Sequence, residues 1–134
     1  MQDLESDAVQ ALILDHITED CAALVNDLRA GGYESVAVAS VRQAREALEQ
    51  GSFDLFVLEM ELPDGDGLQL CNEIRERLGD GLMIMFVSSQ NLPARRVTAF
   101  QLGADDVLGK PCNGEELIAR IDAHRRRRQA HAAG

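Results

Sequence analysis

Lysine occurs once in this sequence, at Lys110, and no apolar run approaches the length of a membrane span. Nothing near Met1 has the basic, apolar and small-residue order of a secretion signal, so the expectation is a cytoplasmic protein. Cysteine is scarce: Cys21, Cys71 and Cys112 are odd in number, far apart and without metal-ligand spacing. They read as free thiols behaving as small core hydrophobes. Basic charge is short as well. With 13 Lys and Arg against 23 Asp and Glu, the net charge of −10 argues against this chain binding nucleic acid by itself. Internal repeats and low-complexity linkers are missing too, and 134 residues suit one domain.

What is present is organised around the stretch from Phe53 to Gly67. Leu55 to Met60 is apolar except for Glu59 and runs into a turn rich in Pro, Asp and Gly. Such a run reads as a strand buried on both faces, in the middle of a parallel sheet. A charge closing a buried strand costs free energy unless it is paired or serves a purpose, which makes Glu59 the residue to explain.

The rest of the chain supplies the partners of that strand. Met1 to Asp7 is polar and predicted to fray. Ala8 to Leu14 forms a second apolar run that closes at Asp15-His16. Thr18 is a candidate N-cap for a helix carrying Ala22, Leu24, Val25 and Leu28 and stopped by Gly31-Gly32. Ser35 to Ala39 is a short β-prone run, and Ser40 with Gln43 has the capping-box pattern of a helix reaching about Gln50. Leu68, Cys71, Ile74 and Leu78 hold a helical period before Gly79 and Gly81. Leu82 to Val87 is a strand closing at Ser88-Ser89. Pro93 suits the first turn of a helix whose apolar positions are Val97, Phe100 and Leu102, ended by Gly103. Val107-Leu108 precedes Gly109-Lys110-Pro111, and Asn113 with Glu116 opens a last helix with Leu117, Ile118 and Ile121 that runs into Arg125 to Arg128. Residues 1–128 are expected to form the domain, and 129–134 a tail or the start of a linker.

Five strands alternating with five helices imply right-handed βαβ units and a doubly wound α/β fold on a five-stranded parallel sheet. In such a sheet the strand C-termini share one rim. Asp15, His16, Glu59, Ser88, Ser89 and Lys110 should therefore gather there, where open α/β folds bind their ligands.

The order Leu-Ile-Leu-Asp, Phe-Asp-Leu, Leu-Pro-Asp-Gly-Asp-Gly, Val-Ser-Ser and Gly-Ala-Asp-Asp-Val-Leu-Gly-Lys-Pro resembles the receiver domain of two-component response regulators, from about Ala8 to Arg128. The resemblance implies the flavodoxin-like receiver topology. It also implies an aspartate ending the third strand that accepts a phosphoryl group, two acids ending the first strand that hold Mg²⁺, a switch hydroxyl and a lysine. Asp15 matches the first acid, Ser88 the hydroxyl, Lys110 the lysine and Pro111 the cis-linked proline that follows it.

The departures from that pattern set the functional expectation. Glu59 stands at the phosphoacceptor position, and its extra methylene carries the carboxylate about 1.5 Å further. A misplacement near 1 Å can slow a reaction on the order of a hundredfold. The longer side chain instead reaches toward Lys110 and Ser88. His16 replaces the second metal-binding acid, and Mg²⁺ takes oxygen ligands, so no metal or other cofactor is expected and Mg²⁺ should bind weakly or not at all. His16 is expected to hydrogen-bond a neighbouring carboxylate. Val107 replaces the usual aromatic rotor, and Cys112 the usual Phe after the proline. Together these changes describe a non-enzymatic, phosphorylation-independent pseudo-receiver. Two alternatives remain: an Mg²⁺-dependent receiver that phosphorylates a neighbouring acid such as Asp64 or Asp66, and a flavin-binding protein of the same topology.

The last helix and its arginines resemble receivers that precede a winged-helix DNA-binding domain. That subfamily dimerises through its fourth helix, fifth strand and fifth helix. Arg95, Arg96, Asp105, Asp106, Glu116 and Arg120 are the candidate charge pairs of such a face. The expected partners are a second copy and a C-terminal DNA-binding output domain or a partner protein, with no membrane and no direct nucleic-acid contact by this domain.

Overall fold

The computed structural model describes residues 9–133, with side chains as far as His131. The segment expected to fray, Met1 to Asp7, lies outside the described residues. Five strands, β1 (Gln10–Leu14), β2 (Glu34–Val38), β3 (Leu55–Leu58), β6 (Met83–Ser88) and β7 (Asp106–Gly109), form one sheet in the order β2-β1-β3-β6-β7. All neighbours in it are parallel. The helices between them are α1 (Thr18–Ala30), α2 (Val41–Gln50), α3 (Gly67–Leu78), α4 (Pro93–Gln101) and α5 (Gly114–Ala133). The fold is the expected doubly wound five-stranded receiver topology.

Strand alternation splits the apolar residues between two cores. Leu12, Leu14, Phe56, Leu58, Ile84 and Phe86 face one way, toward Val41 and Ala44 of α2 and Leu68, Cys71 and Ile74 of α3. Ala11, Ile13, Leu55, Val57, Met83 and Met85 face the other, toward Leu24 and Leu28 of α1 and Leu117 and Ile121 of α5. β3 is buried at all four positions because a layer of helices covers each of its faces.

Several local expectations need correction. The turn after Glu59 contains a two-residue antiparallel ribbon, β4 (Glu61–Leu62) with β5 (Gly65–Asp66). Gly67 closes it by donating its N–H to the Met60 carbonyl, and a Cβ there would overlap the Glu59 carbonyl oxygen. The N-cap of α1 is Ile17, not Thr18, and no side chain caps it. Ser40 does cap α2, accepting from the Gln43 N–H at 3.1 Å. Leu78, expected on the inner face of α3, is exposed, and Leu70 is buried instead. Val97 and Phe100 are likewise outside, at 54% and 46% exposure, while Ala99 is the residue of α4 that is buried. The small alanine lets α4 lie close to the sheet and turns its larger apolar residues outward. Finally, α5 does not end at the arginines but continues through Ala133.

Candidate functional site

The strand order reverses beside β1 and β3, and their C-terminal ends carry Asp15 and Glu59. This is the crevice where an open parallel sheet offers a ligand site. β6 ends in Ser88, and Lys110 follows β7, leading into a cis Lys110-Pro111 peptide. Asp15, Glu59 and Ser88 are 2%, 3% and 0% exposed. The rim expected from the sequence is therefore present, with Asp15, Glu59 and Ser88 buried, Lys110 half-buried, and His16 and Ser89 exposed.

Lys110 is the hub. Its Nζ lies 2.8 Å from Asp15 Oδ2, 2.8 Å from Asp20 Oδ2 and 2.9 Å from Glu59 Oε1, which accounts for all three ammonium protons. Burial alone would lower the Lys110 pKa, but the hydrogen bonds to Asp15, Asp20 and Glu59 outweigh it and hold the ammonium above its ordinary value. Asp20 is the member that strand-end reasoning missed. It belongs to the first turn of α1, which begins close enough to β1 to overhang the rim.

Glu59 uses both oxygens. Oε2 accepts from the Ser88 hydroxyl and, at 2.6 Å, from the Met60 N–H, while Oε1 accepts from the Ser89 N–H at 3.3 Å and faces Lys110. Burial would raise this carboxyl, but the hydrogen bonds from Ser88, Lys110 and Met60 prevail and hold it below its usual range. Ser88 Oγ in turn accepts from the Gln90 N–H at 2.9 Å. Asp15 Oδ1 accepts from the Ile17 N–H at 3.0 Å, so both Asp15 oxygens are engaged.

The remaining candidates separate from this cluster. His16 is exposed and, among the described residues, makes no hydrogen bond to a carboxylate, contrary to expectation. Asp64 receives the N–H groups of Val41 and Arg42 at the start of α2, at 2.8 and 3.2 Å. Asp66 caps α3 through the Leu68 N–H at 2.9 Å. Val107 is buried, and Cys112 is half-buried against the α1–α5 core.

The six residues expected on a dimer face are largely tied within the chain. Asp105 holds Arg75 at 2.9 Å and Arg128 at 3.1 Å. Asp106 holds Arg120 at 3.3 Å and His124 at 3.0 Å. Burial would raise the Asp106 carboxyl, yet His124, the Val107 N–H and Arg120 keep it low. Arg120 also pairs with Glu116 at 2.9 Å, and Arg96 bonds Asn91 at 2.6 Å. Arg95 stands apart from these, in a cleft with His16.

The structure is an open parallel α/β domain with an acid, a hydroxyl and a lysine gathered at its switch point. Residues 11–122 match the response regulator receiver domain family, and the chain belongs to it. It is 39% identical over 120 residues to the transcriptional regulatory protein GltR of Pseudomonas aeruginosa, covering 88% of this chain and 49% of that protein. It is 36% identical over 115 residues to the transcriptional regulatory protein BasR of Escherichia coli, covering 83% of this chain and 51% of that protein. The chain thus spans about half the length of the curated relatives it matches. Among solved structures it resembles a two-component response regulator from Clostridium difficile, with 31% identity, a TM-score of 0.83, and coverage of 89% of this chain and 97% of that one. A CheY-like receiver domain from Methanospirillum hungatei shares the fold at a TM-score of 0.86 and 22% identity, over 93% of this chain and 99% of that one. No helix among the described residues is long and apolar enough to cross a membrane.

Proposed function

We propose that this chain is the receiver domain of a transcriptional response regulator, working without accepting a phosphoryl group, as a dimerisation or docking module. The observation that carries the reading is the Glu59 carboxylate, whose two oxygens already engage Lys110, Ser88 and the backbone. Those are the groups a phosphoryl group on this strand end would need. Glu59 takes their place with one charge and two oxygens, holding the rim in one arrangement.

The donor set does not fit Mg²⁺. Asp15 has both oxygens engaged, the neighbouring position is an exposed imidazole, and the Lys110 ammonium sits where the three carboxylates converge. A hard divalent cation needs several oxygen ligands in near-octahedral order, and here it would first have to displace that ammonium. Asp64 and Asp66 are poor substitutes as acceptors, because each spends its carboxylate on the start of a helix. Family membership also favours a receiver over a flavin protein of like topology.

In this reading the protein is not an enzyme, and a DNA-binding output domain accounts for the greater length of its relatives. The exposed Val97 and Phe100 of α4, with Arg96 on the same helix and the Glu116–Arg120 pair on α5, are the groups this reading offers to a second copy.

The test is intact mass after incubation with acetyl phosphate and Mg²⁺, beside a Glu59→Asp/His16→Asp double variant. The expected result is no phosphoryl adduct on the natural chain and an adduct on the double variant. An adduct on the natural chain overturns the reading.

A further inference from the structure

The two edges of the sheet are finished differently. β7 is buried at Asp106, Val107 and Leu108, whereas β2 has no buried position. Val36 and Ala37, whose side chains leave β2 on opposite faces, are both exposed, so neither α1 nor α2 closes over that edge. From Ser35 to Ser40 the sequence is Ser-Val-Ala-Val-Ala-Ser, with no charge, proline or glycine. Edge strands are ordinarily blunted by a lysine, a proline, a bulge or a covering element. Here the register with β1 runs unbroken from Glu34 to Val38, and the edge is bare. We infer that β2 is an interaction edge whose occupant is β2 of a second copy, added antiparallel about Ala37.

The backbone sets that register. Glu34 donates its N–H to the Val9 carbonyl, and the Val38 carbonyl accepts from the Asp15 N–H. In this parallel ladder Glu34, Val36 and Val38 therefore turn their backbone groups toward β1. The N–H and C=O of Ser35 and Ala37 point away from the sheet, and among the described residues no side chain bonds to them. By the same alternation Ala39 presents its carbonyl outward, while its N–H is taken by Gln43 Oε1 at 2.9 Å. An antiparallel copy centred on Ala37 matches these groups. The two Ala37 residues exchange N–H···O bonds, and each Ser35 N–H meets the Ala39 carbonyl of the other copy.

The side chains fit the same two-fold arrangement. Val36 of one copy falls opposite Val38 of the other, a β-branched cross-strand pair that the symmetry makes twice. Glu34, the one charge on β2, falls opposite Ser40 at the start of the other copy's α2, whose first turn holds no acidic residue. The two Glu34 carboxylates are thereby kept at opposite ends of the ladder, and no like charges are opposed. β2 lies at the far edge of the sheet from β7, against which α4 packs, so this pairing leaves Val97 and Phe100 free. A contact confined to one short strand is weak. It belongs to the concentrations of an NMR sample, not to those of dilute light scattering, and would let copies meet edge to edge where they are crowded together.

The experiment is amide hydrogen exchange and translational diffusion by NMR at low and high protein concentration. It uses the natural chain and a Val97→Glu/Phe100→Glu variant, which separates this edge from association through α4. In both, exchange at the Ser35 and Ala37 N–H groups should slow about tenfold or more as concentration rises, while Glu34, already bonded within the chain, stays constant. Ala37→Lys sets two like charges directly across from each other and should abolish the slowing and the fall in diffusion, as should Ala37→Glu. Mixing the two variants should restore both effects. Ala37 is exposed, so neither substitution reaches the core. Exchange at Ser35 and Ala37 that ignores concentration, slowing that disappears in Val97→Glu/Phe100→Glu, or a mixture no more associated than either variant alone would overturn the inference.

Discussion

Lys110 Nζ sits 2.8 Å from Asp20 Oδ2, so the lysine after the last strand reaches a residue of the first helix at the same distance as Asp15, which follows the first strand. The ammonium is one cation among three carboxylates, and it is 13% exposed. Removing one partner of a buried ion pair leaves uncompensated charge. Lys110→Ala is expected to cost about 3 kcal/mol of stability, read as a shift in the urea midpoint at neutral pH. An unchanged midpoint would mean that the cluster does not hold the rim together.

The pH dependence follows from the directions of the shifts. Glu59 and Asp106 have folded values below their ordinary 4.5 and 3.8, so each contributes stability above those values and loses it as pH falls through the lowered ones. Lys110 is raised from 10.5, so its contribution is complete below that pH and is lost only as pH rises through the higher folded value. Stability from these groups should be level across neutral pH and fall on acidification below pH 4.5. Glu59→Gln should make that acid fall shallower. An equally steep fall in the variant would assign it to other carboxylates.

Much of this was legible beforehand, for a physical reason. Strands buried on both faces announce themselves as apolar runs, and a polar residue ending one must lie on the rim, which located Asp15, Glu59, Ser88 and Lys110. Asp20 escaped because strand ends carry no information about a side chain reaching over the rim from a helix. The available signal was its place in the first turn of a helix starting just past Asp15. The misreading of α4 had a different cause. A helical apolar period does not say which face meets the sheet, and here the helix approaches through Ala99, leaving Val97 and Phe100 outside. A place on the rim does not fix where a side chain turns, and His16 is exposed there without the carboxylate contact expected of it.

Those outward residues make the dimer testable without disturbing the core. Substitutions at exposed sites usually change stability by about 0.5 kcal/mol or less. A Val97→Glu/Phe100→Glu variant should therefore fold normally and give monomer mass by light scattering, with dimer mass expected for the natural chain under the proposed function. A variant that remains dimeric would place the interface elsewhere.

Arg75 should matter far from the candidate site. It is 11% exposed, pairs with Asp105 at 2.9 Å and donates to the carbonyls of Gly103 at 2.8 Å and Gly79 at 2.9 Å. Arg75→Met leaves Asp105 with Arg128 as its remaining cation and takes the donor from those carbonyls, and a loss of about 2 kcal/mol is expected in denaturant titration. Arg75→Lys should recover only part of it, since an ammonium cannot reproduce the guanidinium fork. Equal stability of Lys and Arg at this position would show that charge alone suffices.

That guanidinium also gives the molecule a mechanical polarity. Arg75 joins the end of α3 to the loops that enter β6 and β7, riveting the edge of the sheet where those strands begin. The other end of the strands is held instead by the Lys110 ammonium among Asp15, Asp20 and Glu59. A single substitution at Arg75 would therefore loosen the entrances of two strands at once, at the end of the sheet away from the Lys110 rim.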